Sequence, residues 1–127
     1  METHKASILV MHAAVSSTSG NVSFPVGAVG DESYGIGTEA ATYEVVPAMR
    51  LDDMQFGESI DLLSIDTEGH DMKVLEGAKT TLARVRFLEF EYHIVNLWAT
   101  TDLHDLVQWL GQQYGFVCYW QGNNGQN

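Results

Sequence analysis

The chain alternates short apolar runs with segments of helical period, and that alternation restricts it to one fold class. Ile8 to Val15, "ILVMHAAV", and Ile60 to Ile65, "IDLLSI", are apolar without regular alternation, as suits strands buried on both faces of a parallel sheet. Residues 86–95, "RFLEFEYHIV", form a third long run. Shorter strands are expected at 21–24, at Tyr43 to Val46 and at 116–120, with Pro47 placing the second of these at a sheet edge or at its end. Between the runs, Met72, Leu75, Ala78, Leu82 and Val85 recur at spacings of three and four. Gly77 interrupts that stripe, either as a left-handed helix terminator or as a point of close approach. A second stripe, Leu103, Leu106, Val107 and Leu110, follows Thr101 or Asp102 as N-cap and stops at Gly115. The glycine-rich stretch 27–41 has little apolar period and reads as a poorly packed loop. Strands separated by helices give an α/β protein with a mainly parallel sheet.

Size and charge narrow the class of partners. The 127 residues suit a single domain. Seventeen acidic against six basic side chains give a formal charge of -11, which repels nucleic acid and anionic membrane alike. No apolar run approaches the length of a membrane span, and the first residues do not resemble a signal peptide. A soluble protein is therefore expected; its compartment is not fixed by the sequence, the cytoplasm being favoured. Cys118 stands alone, so no internal disulfide forms.

In open α/β sheets, ligands sit outside the carboxyl ends of the strands. There the sequence places Asp66, Glu68, His70 and Asp71 within six residues. Side chains two apart on an extended segment point the same way, so Asp66, Glu68 and His70 are expected to converge on one cleft. Two carboxylates and an imidazole can carry general acid/base work, or hold a hard divalent cation. The plainer alternative is a helix cap flanked by solvated side chains. Glu89, Glu91 and His93 alternate onto one face of the next strand, with Glu91 and His93 near its end.

The stretch "IDLLSIDTEGHDMKVLEGA" resembles the hallmark of the FkbM-type family of S-adenosylmethionine-dependent methyltransferases, an apolar strand running into an "IDxEGHE"-like turn and a "VLxGA" helix. "HAAVSSTSGNVSF", "MRLDDM" and "FLEFEYH" resemble further elements of the same family. The resemblance implies a class I methyltransferase domain with a Rossmann-like sheet, and methyl transfer from S-adenosylmethionine to an oxygen of a small molecule or sugar. On this reading His70 is the base, Asp66 and Glu68 orient groups or hold a divalent cation, and Glu91 contacts the acceptor. Ala13, Ala14 and Val15 approach the adenine through their backbone, and Asp66 joins them on the cofactor side.

Departures from the family pattern are Asp71 in place of the closing Glu, and Ser64 where Lys is common. There is no G-x-G-x-x-G, and the chain opens at what resembles the family's third strand, so a domain lacking its N-terminal glycine-rich part is expected. Two other readings stand beside this one. One is a divalent-metal hydrolase built on Asp66, Glu68, His70 and Asp71. The other is an interaction fragment that pairs with another chain, a second copy included, along an open strand edge.

Overall fold

The computed structural model describes residues 7–28, 34–92 and 96–121. Within them lie five strands and three α-helices: β1 Ala14–Val15, β2 Gly20–Pro25, β3 Tyr43–Met49, β4 Ile60–Ile65, α1 Asp71–Glu76, α2 Lys79–Leu82, β5 Val85–Phe90 and α3 Leu103–Tyr114. Single 3-10 turns at Leu51–Asp53 and Asn96–Thr100 complete the order. The α/β class is as expected. The sheet is not continuous: β1-β3-β2 and β4-β5 form two sheets among the described residues. Two of the three strand pairings are parallel, β1 with β3 and β4 with β5, while β2 runs antiparallel to β3.

The run Ile8 to Val15 departs most from its expectation. Only Ala14 and Val15 pair with β3, and Ile8, Leu9 and Val10 stand 83–86% exposed. An apolar run becomes a buried strand only where it has strands beside it and helices above and below, and the described residues offer Ile8 to Ala13 neither. Residues 116–120 likewise form no strand, with Val117, Tyr119 and Trp120 exposed. Pro47 lies inside β3, the middle strand, and not at an edge. The carbonyl of Met49 accepts from the Ser16 amide at 2.9 Å, so Pro47, two residues earlier, turns the same edge toward β1. Pairing on that side begins at Ala48, so the N–H that proline lacks has no partner to serve.

The core sits between one face of β4/β5 and the helices. Ile65 from β4, Val74 and Leu75 from α1, Leu82 from α2, Trp98, and Leu106 and Leu110 from α3 pack together, with Leu63, Leu88 and Phe90 against them. Burying each large apolar side chain contributes about 1.5–3 kcal/mol. On the opposite face, the register partners Leu62 and Phe87 are exposed. α3 is bounded as its sequence dictates: the Asp102 carboxylate accepts from the His104 amide at 2.8 Å, and Gly115 closes the helix at φ 77°.

Gly77 resolves in favour of close approach. Its φ is −85°, so it is no left-handed terminator. A Cβ placed there would lie 2.2 Å from the carbonyl oxygen of Ser16. The stripe breaks into α1 and α2 at this residue because the end of β1 presses against it. The "LDD" element serves the same junction. Asp52 accepts from the amides of Thr80 and Thr81 and from the Thr81 hydroxyl, at 2.8 to 3.0 Å, capping α2 from a distance. Burial acts to raise the Asp52 pKa, but these hydrogen bonds, led by that from Thr81, outweigh it and hold the carboxyl below its usual range.

In the stretch 27–41, no helix or strand forms in the described part. Gly35 is nonetheless buried rather than loosely packed: its Cβ would meet the Thr67 carbonyl oxygen at 2.6 Å. This loop therefore backs directly onto the turn that follows β4.

Candidate functional site

Parallel pairing builds the site. Ile65 is the register partner of Phe90, so the residues that follow, Asp66 and Glu91, leave the sheet side by side. The Glu91 amide donates to the Ile65 carbonyl at 3.3 Å, which carries the pairing one step past the strand. Carboxylate oxygens of Asp66, Glu68 and Glu91 all lie within 4.8 Å of one another. Asp66 and Glu91 are exposed and Glu68 is half-buried, so the cluster opens to solvent. Glu89 points to solvent within β5, and His93 lies outside the described residues.

His70 is not among them. The expected convergence of residues 66, 68 and 70 required an extended backbone, and the backbone is not extended here. Glu68 takes φ 52° and Gly69 φ 91°, two successive left-handed conformations that reverse the chain. His70 then turns inward, 8% exposed, with its Nε2 3.0 Å from the Ser16 hydroxyl. Asp71 opens α1 fully buried: one carboxylate oxygen accepts from the Trp98 indole N–H at 3.3 Å and the other has no protein partner.

Ser16 links the two groups of candidate residues. It follows Ala14 and Val15 directly, and its hydroxyl meets His70 while its carbonyl meets Gly77. Ala14 is buried, Ala13 and Val15 are half-buried, and Val15 packs against the core. The Ser16–His70 contact thus ties the end of β1 to the turn that follows β4. Ser16 carried no signal that would single it out, because a serine in "SSTSG" reads as a turn residue.

Burial above all, with the nearby Lys73 charge adding to it, lowers the His70 pKa, against opposing contributions from Asp71 and Glu76. A depressed histidine pKa means that the unfolded chain binds more protons than the folded one. Its contribution to stability is complete above the ordinary value of 6.5 and is lost as pH falls through the lower folded value. His70→Gln is therefore expected to flatten the fall in stability between about pH 7 and pH 5. Urea midpoints measured at half-unit pH steps would read this, and an unchanged slope would place the proton uptake elsewhere.

The three carboxylates offer oxygen ligands of the kind a hard divalent cation takes, and a negative surface that suits a cationic cofactor. Among the described residues, no helix is long and apolar enough to cross a membrane. Comparison with family models matches residues 4–118 to the Methyltransferase FkbM domain. Comparison with curated proteins and with solved structures found no match.

Proposed function

The chain belongs to the FkbM methyltransferase family, and from that premise we propose that it transfers a methyl group from S-adenosylmethionine to a hydroxyl oxygen of a small molecule or sugar. The observation that supports this is the meeting of Asp66, Glu68 and Glu91 at the carboxyl ends of two parallel strands, where α/β folds bind ligands. The reading includes a Rossmann-like arrangement, with the backbone of Ala13 to Val15 and the Asp66 carboxylate turned to the cofactor.

S-adenosylmethionine carries positive charge on its sulfur and its amino group, and an all-carboxylate cluster has the sign to meet it. When bound, it supplies an electrophilic methyl group. The chain's own residues supply position and a proton acceptor. Glu68 and Glu91 would accept hydrogen bonds at the incoming hydroxyl, and one of them would take its single proton as the oxygen displaces S-adenosylhomocysteine from the methyl carbon, the oxygen–carbon bond forming as the sulfur–carbon bond breaks. His70 meets the Ser16 hydroxyl, directly after the Ala13 to Val15 backbone, so on this reading its part is to hold the end of β1 in place. The role of base that the family motif suggests for His70 passes to a carboxylate.

The same oxygen set favours a second reading, a divalent-metal hydrolase with Mg²⁺ or Mn²⁺ at Asp66, Glu68 and Glu91. Thermal melting separates the two. S-adenosylhomocysteine is expected to raise the melting temperature, and methyl-labelled S-adenosylmethionine is expected to pass label to one of a panel of sugars and small alcohols. A shift with Mg²⁺ alone, and no transfer of label, would favour the hydrolase. Pairing with a second copy along an open strand edge belongs with these proposals, and sedimentation velocity tests it.

A further inference from the structure

Glu68 stands in a backbone conformation that glutamate does not favour by itself. A left-handed backbone at a residue other than glycine costs about 1–2 kcal/mol and persists only where its surroundings impose it. At Glu68, with φ 52°, the imposing group is visible. The Asn96 side-chain amide donates to the Glu68 carbonyl at 2.6 Å. The two residues after Asn96 continue the grip: the Leu97 amide donates to the Gly69 carbonyl at 3.3 Å, and the Trp98 indole donates to Asp71 at 3.3 Å. Three consecutive residues of the 3-10 turn thus hold three of the four residues 68–71. Trp98 is itself fixed, 1% exposed and packed on Phe90 and Tyr92 with ring centroids 5.8 and 5.1 Å away.

We propose that Asn96 is a positioning residue for the transfer reaction: its amide holds the Glu68 backbone left-handed and thereby aims the Glu68 carboxylate at Asp66 and Glu91. The inference rests on the reading of Glu68 as part of the transfer site. Asparagine suits the place twice over. It supplies the donor, and it tolerates the left-handed backbone that position 96 itself adopts, at φ 49°. The left-handed turn is the conformation in which a Glu68 carboxylate oxygen lies within 4.8 Å of those of Asp66 and Glu91.

The test uses the full chain and three variants. Asn96→Gly keeps the left-handed backbone at position 96 and removes only the donor. Asn96→Asp keeps the shape and sets an oxygen against the Glu68 carbonyl. Thr101→Val removes a different hydrogen bond of the same 3-10 segment, from the Thr101 hydroxyl to the Leu97 carbonyl at 2.8 Å, which does not touch the turn. In both Asn96 variants, the amide–Hα coupling and the Cα and Cβ shifts of Glu68 are expected to leave left-handed values. The kcat of methyl transfer is expected to fall about tenfold with little change in KM for S-adenosylmethionine. Thr101→Val is expected to lower stability and leave Glu68 and kcat unmoved. Unchanged Glu68 couplings in Asn96→Gly would overturn the clamp, as would a kcat loss in Thr101→Val as large as in the Asn96 variants. If the wild-type chain transfers no methyl group, the proposed activity fails, while the couplings still decide whether Asn96 holds Glu68.

Discussion

Replacing Gly77 by alanine is expected to destabilise the fold by about 1–3 kcal/mol, where the same change at an unobstructed site of this backbone conformation would stabilise it. At φ −85° and ψ 5° the backbone poses no obstacle to a side chain, and removing a glycine restricts the unfolded chain. The obstacle is the Ser16 carbonyl oxygen, 2.2 Å from where the Cβ would sit. That atom belongs to backbone and cannot swing aside. Either the end of β1 or the α1–α2 junction must move, and the Ser16–His70 contact moves with it. Denaturant midpoints for Gly77→Ala and Gly77→Ser check the sign. A stabilised Gly77→Ala would mean that β1 does not approach α1 as closely as it does here.

Glu68→Gln is expected to lower methyl transfer by about 10²-fold or more while leaving stability unchanged or slightly raised. Losing a positioned proton acceptor costs about 10²–10⁴ in rate. Stability moves the other way because three carboxylates within 4.8 Å repel one another, and an amide of the same shape relieves part of that repulsion. Sites assembled for chemistry commonly hold such mutually unfavourable groups. Asp66→Asn is expected to raise KM for S-adenosylmethionine more than it lowers kcat, since its place in the proposal is on the cofactor side. Turnover and melting temperature measured on the same samples distinguish these outcomes. Full activity in Glu68→Gln would remove the carboxylates from the chemistry.

How much of this was legible in the sequence depended on the range of the interactions involved. Local patterns read well. The stripe of α3, its Asp102 cap and its Gly115 stop are set by neighbours three or four residues away, and all three appear where expected. Asp66 and Glu91 were legible only as residues near strand ends; that they leave the sheet side by side comes from the register of β4 with β5. The direction of His70 did not follow. Period-two reasoning assumes an extended chain, and the left-handed residues Glu68 and Gly69 break it. The cause of that break, Asn96, lies 28 residues further on in a segment with no apolar pattern to mark it. The run Ile8 to Val15 failed for a related reason. Apolar composition states a demand for burial, and whether anything meets that demand is a property of the rest of the chain.

The 3-10 turn at Leu51–Asp53 shows the same limit from the other side. "LDD" reads as a polar punctuation mark, yet Leu51 enters the core, Asp52 caps α2, and Asp53 pairs with Arg50 and Ser19. Two carboxylates that look available for chemistry are thereby committed to architecture. The Arg50 and Ser19 hydrogen bonds hold the Asp53 carboxyl down to about 2, although the group lies at the surface. None of this could be read from residue type alone, because each partner is distant in the chain or lies across a turn.

The parallel pairing of β4 with β5 has a consequence for the order of events when the chain folds. Asp66, Glu68 and Glu91 all belong to one continuous stretch, strand to helices to strand, whose two ends meet across a modest loop. Closing a loop of that length carries a small entropic penalty, and rates rise as contacts become more local. The carboxylate cluster is therefore expected to assemble within this unit early, before β1 arrives from a distant part of the chain to set Ser16 against His70. Amide hydrogen exchange after a refolding pulse would then protect the Glu91 amide before that of Ser16, so that the chemical centre takes shape first and its contact with the β1 end is made last.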